Sequence, residues 1–166
     1  MVLDATIRRE LDRAVLCWVA TVGADALPNV SPKEIFLAGE GDRLLIADIA
    51  SPTTVRNVVV NPQVCVSFID VFLQRGFKLI GEARTVGPRD DEFERWAAPL
   101  RRKAGPHFRI RGVILVDVHR AHRIWAPSYA LFPERSDDER RAEAYRTYGV
   151  RAAAREEARH DEDRVA

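Results

Sequence analysis

The chain of 166 residues has only two cysteines and a formal net charge of just +1. It also has no long apolar run, and each shortage excludes a class of function. Cys17 and Cys65 sit in apolar runs, without the spacing of a metal site or a redox pair. They read as reduced, buried thiols that behave as small hydrophobes. No apolar run nears the ~20 residues that span a bilayer. The start, Met1-Val2-Leu3-Asp4 and then charged residues, is not a signal sequence. So small a net charge gives no global attraction to nucleic acid or to an anionic membrane. No Ser–His–Asp or Cys–His arrangement is visible, and no repeat, linker or low-complexity tract divides the chain. The expectation is a cytoplasmic protein of one domain, residues 1–166, with neither nucleic acid nor membrane as partner.

What is present is globular: 46% hydrophobic and 31% charged residues, in a chain long enough to bury a core. Residues 4–13 predict an amphipathic helix, with Ile7 and Leu11 on one face. Residues 14–22 run apolar through Trp18 and predict a strand covered on both faces. The Gly23-Ala24-Asp25 turn returns the chain as a strand over 28–37. A second turn at Gly39-Glu40-Gly41-Asp42 leads to a third strand over 43–49, completing a meander. Residues 51–61 carry strand-forming valines and threonines. Ser51-Pro52 at the start, Val55, Val58 and Val59 in between, and Asn61-Pro62 at the end predict a helix instead. Strands follow over 64–71 and 75–86, the latter with Phe77, Leu79, Gly81 and Ala83 on one face. Gly81 there suggests a barrel bend or a close approach. A helix is predicted over 90–103, a long sixth strand over 109–124, and a charged helix from about 136 to 159. The like-charge pairs Arg155/Arg159 and Glu157/Asp161 would fray its end. The fold class is mainly β with short helices: six antiparallel strands in a small barrel.

Two stretches stand out chemically. Pro28-Asn29-Val30-Ser31-Pro32-Lys33 puts two prolines and a lysine in a strand, which marks an edge, a bulge or a backbone facing a ligand. Ala47-Asp48 runs into Ser51-Pro52-Thr53-Thr54, a helix start with serine as N-cap and proline at the first helical position. A lysine strand facing a hydroxyl-rich helix start makes a phosphate site.

With Asn57, Asn61-Pro62-Gln63-Val64, Arg75-Gly76-Phe77 and Gly81-Glu82-Ala83 added in this order, the chain resembles the pyridoxamine 5′-phosphate oxidase-like flavin-binding split barrels. The likeness spans roughly residues 11–125. It implies a split β-barrel homodimer with FMN between the subunits, and redox chemistry or flavin carriage. Carried over by position, Asn29, Val30, Ser31, Pro32 and Lys33 would line the flavin, with Ala47 and Asp48 beside it. Ser51, Thr53, Thr54 and Asn57 would hold its phosphate. Arg75, Gly76 and Phe77 would approach from the barrel rim. Some members of the family use the deazaflavin F420, and a branch binds haem. Thr53 stands where members often carry lysine, so Lys33 or Arg56 would have to supply the charge. Trp125-Ala126-Pro127-Ser128-Tyr129 replaces the substrate motif of the true oxidases, and that substrate is not carried over.

The expected function is therefore an FMN-dependent oxidoreductase acting on a small molecule, with NAD(P)H as a candidate donor. The rivals are a flavin carrier or sensor and a cofactor-free interaction module. His119 and His122 would point to opposite faces of a strand and make no metal site. Arg101, Arg102, Lys103, His107, Arg109 and Arg111 form a basic patch, either a solvated helix end or a rim for an anion. Trp125 and Tyr129 read as packing residues.

Overall fold

The computed structural model describes residues 1–152. Its chain falls into two compact units, Met1–Asp70 with Gln74–Trp125, and Val71–Leu73 with the segment after Trp125. The larger unit is built on seven antiparallel strands. In chain order these are β1 (Cys17–Val22), β2 (Pro28–Lys33), β3 (Phe36–Ala38), β4 (Arg43–Asp48), β5 (Gln63–Asp70), β6 (Arg75–Val86) and β7 (Gly112–Trp125). Three helices accompany them: α1 (Ala5–Arg13), α2 (Pro52–Val60) and α3 (Phe93–Ala104).

The sheet order is β2-β1-β5-β6-β7-β4-β3. This corrects the expected strand over 28–37 and the three-strand meander. The segment breaks at Glu34 and Ile35, and its halves lie on opposite edges of the sheet. Two linking residues reach no more than about 10 Å, so the edges must come together and the sheet must curl. The seventh strand and the barrel closure are the same event. The Ile35 carbonyl accepts from the Ala47 N–H at 2.9 Å, which fixes the crossing against β4. The result is a mainly β split barrel with flanking helices.

Inside the barrel, alternate residues meet: Val19, Phe36, Leu44, Ile46, Val66, Phe68, Leu79, Ile114 and Val116 form one buried cluster. Ile7 and Leu11 of α1 and Val58 of α2 join it. Asp4 caps α1 by accepting from the Ile7 N–H at 2.8 Å. Glu10 of α1 ties to Arg123 of β7 at 2.7 Å. Outside the barrel, Phe93, Trp96, Ala97 and Leu100 recur at helical spacing along α3 and cover Leu45, Ala47, Val113 and Leu115. Burying each large side chain there stabilises by about 1.5–3 kcal/mol. Glu92, at the start of α3, accepts from Arg84 and from the Trp96 indole; these bonds hold its carboxyl down at about 2.

The two-faced burial expected for residues 14–22 belongs to β4 and β7 instead. In β1 the pattern alternates, and Trp18 remains 45% exposed. Among the described residues of this unit no helix lies over that outer face, whereas α3 lies over β4 and β7. Gly81 does mark a close approach. A register shift lies between Ile80 and Gly81, and a Cβ on Gly81 would stand 2.1 Å from the Asp117 carbonyl oxygen. Gly81 pairs with Val118 and Ile80 with Arg120, which leaves His119 as the extra residue of the bulge.

The smaller unit contains α4 (Ser128–Leu131) and α5 (Asp137–Tyr148). Ser136 and Glu139 form a reciprocal capping box at the start of α5. The helix expected to reach 159 ends at Tyr148, because Gly149 adopts a left-handed φ of 66°. The pairs Arg155/Arg159 and Glu157/Asp161 lie outside the described residues. Tyr129 packs within this unit: its hydroxyl donates to the Leu73 carbonyl at 3.0 Å, and Arg140 stacks on its ring.

Candidate functional site

Strand parity decides where the residues of β2 point. In the hairpin register, Asn29, Ser31 and Lys33 pair with Thr21, Val19 and Cys17, whose side chains are buried. All three therefore face the interior. Val30 and Pro32 pair with Ala20 and Trp18 and face out, Val30 being 55% exposed.

The interior polar residues bind one another. Asn29 and Asn57 each donate to the Thr21 hydroxyl at 3.1 Å. Ser31 and Thr54 share a hydrogen bond of 2.6 Å, and Asn29 also reaches Thr54 at 3.3 Å. Thr54 is fully buried. This network latches α2 onto β1 and β2. It satisfies groups that would be costly to bury alone. The hydroxyls of Ser31 and Thr54 and the amides of Asn29 and Asn57 thus have partners within the chain.

Lys33 closes the row at the barrel end. Its Nζ donates to Ser51 Oγ, and the Ser51 hydroxyl donates on to Asp48 Oδ1 at 2.9 Å. Asp48 also accepts from the Ser51 N–H at 3.2 Å. Ser51 is the N-cap of α2 and Pro52 follows at the first helical position, as expected. The Ser51 side chain does not cap the helix, however, because Lys33 and Asp48 hold it. Burial pushes the Lys33 ammonium below its usual range, and Asp48 pulls partly back. Thr53 is exposed on the same turn, where its hydroxyl accepts from Arg56 at 3.1 Å.

An open groove of about 580 Å³ lies beside this end of the barrel. Of the expected site residues, Pro32, Lys33, Ala47 and Ser51 line it. Arg13, Val15, Lys103 and Phe108 line it too; Lys103 belongs to the basic patch read as a helix end or a rim for an anion, and the other three were not singled out. Lys103 is held by the Phe36 carbonyl at 2.7 Å and by the Phe36 ring at 4.7 Å. Periodicity could not pair Lys103 with Lys33, 70 positions apart in the chain. The available signal was compositional: only three of the 26 basic residues are lysine.

Arg75, Gly76 and Phe77 are not brought to this group. Phe77 shares the interior row Lys33–Cys17–Phe68–Phe77, three strands and about 14 Å from Lys33. Phe77 packs on Phe68 and lies under Arg123, while Gly76 would place a Cβ 2.0 Å from the Phe68 carbonyl oxygen. His122 pairs with Lys78 on the outer face. Among the described residues, no three His, Cys, Asp or Glu side chains gather as metal ligands. Within the basic patch, Arg101 is paired with Glu94 and lies over Phe93.

Cys17 is fully buried, and burial pushes its thiol up to about 12 despite Lys33 and Lys103 nearby. Native protein treated with iodoacetamide at pH 8 is therefore expected to leave Cys17 unmodified, while half-buried Cys65 labels slowly. Peptide mass spectrometry reads both; a carbamidomethylated Cys17 in folded protein would contradict the burial.

The family model described as pyridoxamine 5′-phosphate oxidase matches residues 3–125. No curated protein sequence matches the chain. Solved structures share its fold at low identity. An FMN-binding protein from Syntrophomonas wolfei is 12% identical with a TM-score of 0.61, over 72% of this chain and 84% of that one. An F420 reductase is 23% identical with a TM-score of 0.57, over 72% and 98%. HutZ, the haem storage protein from Vibrio cholerae, is 18% identical with a TM-score of 0.55, over 74% and 94%. With the matched segment spanning most of the chain and the barrel closed as described, the protein belongs to the pyridoxamine 5′-phosphate oxidase-like family.

Proposed function

We propose that this chain binds FMN at the first turn of α2 and acts as a flavin-dependent oxidoreductase on a small molecule. The observation that carries this reading is the convergence of Lys33, Ser51, Thr53 and Arg56 on that turn. The turn has no side-chain cap, which supports the reading that its first N–H groups would serve an anion. Lys33 and Arg56 supply the positive charge that a phosphate needs. Arg56 stands on Thr53, where the family resemblance leads one to expect lysine. Asp48 orients Ser51 by accepting from both its N–H and its hydroxyl. Bound FMN would supply hydride-transfer chemistry, while the protein supplies binding and orientation. NAD(P)H is the proposed electron donor.

A second copy of the chain would complete the assembly. Trp18, Val30 and Ile69 are exposed on the outer face of β1, β2 and β5, beside half-buried Ala20 and Cys65. An apolar sheet face of this kind marks an interface. The outer face of β7 needs no such partner, since α3 covers Val113 and Leu115. Sedimentation equilibrium is expected to give a homodimer whose dissociation releases flavin. A monomer at micromolar concentration that keeps its flavin would overturn this assembly.

The purified protein is expected to absorb near ~370 and ~450 nm, as oxidised flavins do. A Soret band, or the single near-ultraviolet band of a deazaflavin, would replace FMN with haem or F420. Lys33→Ala is expected to weaken FMN binding by about 1–3 kcal/mol, the range for a charge-assisted hydrogen bond. Titration of apo-protein measures it, and unchanged affinity would remove Lys33 from the site.

A further inference from the structure

Positive charge is concentrated in one short stretch. Residues 101–111 hold five basic residues and no acidic one, while the rest of the chain carries 21 basic and 25 acidic. Three of the five stand in the last turn of α3, where they complement the carbonyl end of the helix. Arg109 and Arg111 lie beyond the helix and have no such role. Arg101 is paired with Glu94, but Arg102, Lys103, Arg109 and Arg111 make no ion pair among the described residues.

Local packing aims this stretch outward. Ile110 is buried in the cluster under α3, and its neighbours Arg109 and Arg111 are both exposed. The Arg111 N–H donates to the Asp48 carbonyl at 2.8 Å, which pins the stretch to the end of β4, beside the residue that orients Ser51. Phe108, 52% exposed, lines the groove together with Lys103 and Ala104. Lys103 gives one N–H to the Phe36 carbonyl and keeps two. The carboxylates on the groove, Asp12 and Glu34, come from α1 and the β2–β3 link; the α3 side has none.

An exposed aromatic ring next to unpaired guanidinium groups suits a purine base joined to phosphate. In dinucleotide sites a carboxylate holds the ribose hydroxyls of NAD, whereas an arginine takes the additional 2′-phosphate of NADP. We infer that this edge of the groove binds the 2′-phosphoadenosine end of NADPH. Phe108 stacks on the adenine, Arg109 and Arg111 hold the 2′-phosphate, and Lys103 receives the pyrophosphate. The inference rests on the reading of the chain as a flavoprotein with a nicotinamide donor, and it narrows that donor to the phosphorylated form. Lys33 and the turn at Ser51 stay with the flavin phosphate.

The test is calorimetric titration of the purified protein with NADP+ and NAD+, which differ only in the 2′-phosphate and leave oxidised flavin unreacted. NADP+ is expected to bind about tenfold more tightly, the effect of a charge-assisted hydrogen bond, and the gap should narrow as salt rises. Replacing Arg109 and Arg111 together by alanine should bring NADP+ down to the affinity of NAD+. Phe108→Ala should weaken both nucleotides alike. Arg89→Ala removes an exposed arginine from the turn before α3 and should change neither. FMN titration of the same variants should match wild type, so a failed nucleotide site and a failed flavin site are read separately. Equal affinity for the two nucleotides, or no binding, overturns the inference. So does a preference that survives the double variant, or one that Arg89→Ala weakens as much.

Discussion

Gly81→Ala is expected to destabilise the protein by about 3–4 kcal/mol, more than ordinary overpacking costs. The added methyl would lie 2.1 Å from the Asp117 carbonyl oxygen and 2.9 Å from its carbon. Those are backbone atoms of β7 at the bulge, so no side-chain rotation relieves the clash. Strands β6 and β7 would have to separate where they carry the longest ladder of the sheet. Gly87→Ala is the control, because its Cβ would meet only the Asp90 carboxylate at 3.7 Å, an ordinary contact. Urea unfolding of the two variants measures the contrast. Equal midpoints would mean that the bulge is not held as tightly as described.

Thr54→Val is expected to cost about 2–3 kcal/mol, although it barely changes volume. The hydroxyl is fully buried and pairs with Ser31 at 2.6 Å and Asn29 at 3.3 Å. Valine removes the oxygen and leaves the half-buried Ser31 hydroxyl short of a partner, which costs more than the hydrogen bond alone is worth. The loss falls on the contact that seats α2, so affinity at the proposed FMN site should drop together with stability. Thr53→Val, on the exposed neighbour, should leave stability within about 0.5 kcal/mol of wild type. Thermal unfolding of the pair separates the roles. A Thr54→Val protein as stable as wild type would show that α2 does not depend on the network.

Much of this was legible before folding. The helix over 52–60 was correctly read against its own valines and threonines, because Ser51-Pro52 and Asn61-Pro62 punctuate it. The apolar stripe of α3 and the small face of β6 at Gly81 were legible for the same reason: they are local patterns with a fixed period. Strand pairing was not. Nothing in residues 28–37 reveals that Lys33 and Phe36 belong to opposite sheet edges, since register partners lie far apart in sequence. Nor could the residues ascribed to the flavin be sorted into those that face the groove and those that hold α2. Asn29 and Ser31 share a strand face with Lys33, yet helix α2 covers them and leaves Lys33 at the rim.

The amino-acid sequence by itself determined most of the elements, the family likeness and the turn at Ser51, because capping, proline placement and hydrophobic period act over a few residues. The tertiary structure decided which side chains meet. Curling the sheet brought Lys103, at the end of α3, to the groove that holds Lys33 and Ser51, and it placed Trp18 outward and exposed. Those outcomes depend on barrel closure, a long-range event that no short window of sequence encodes.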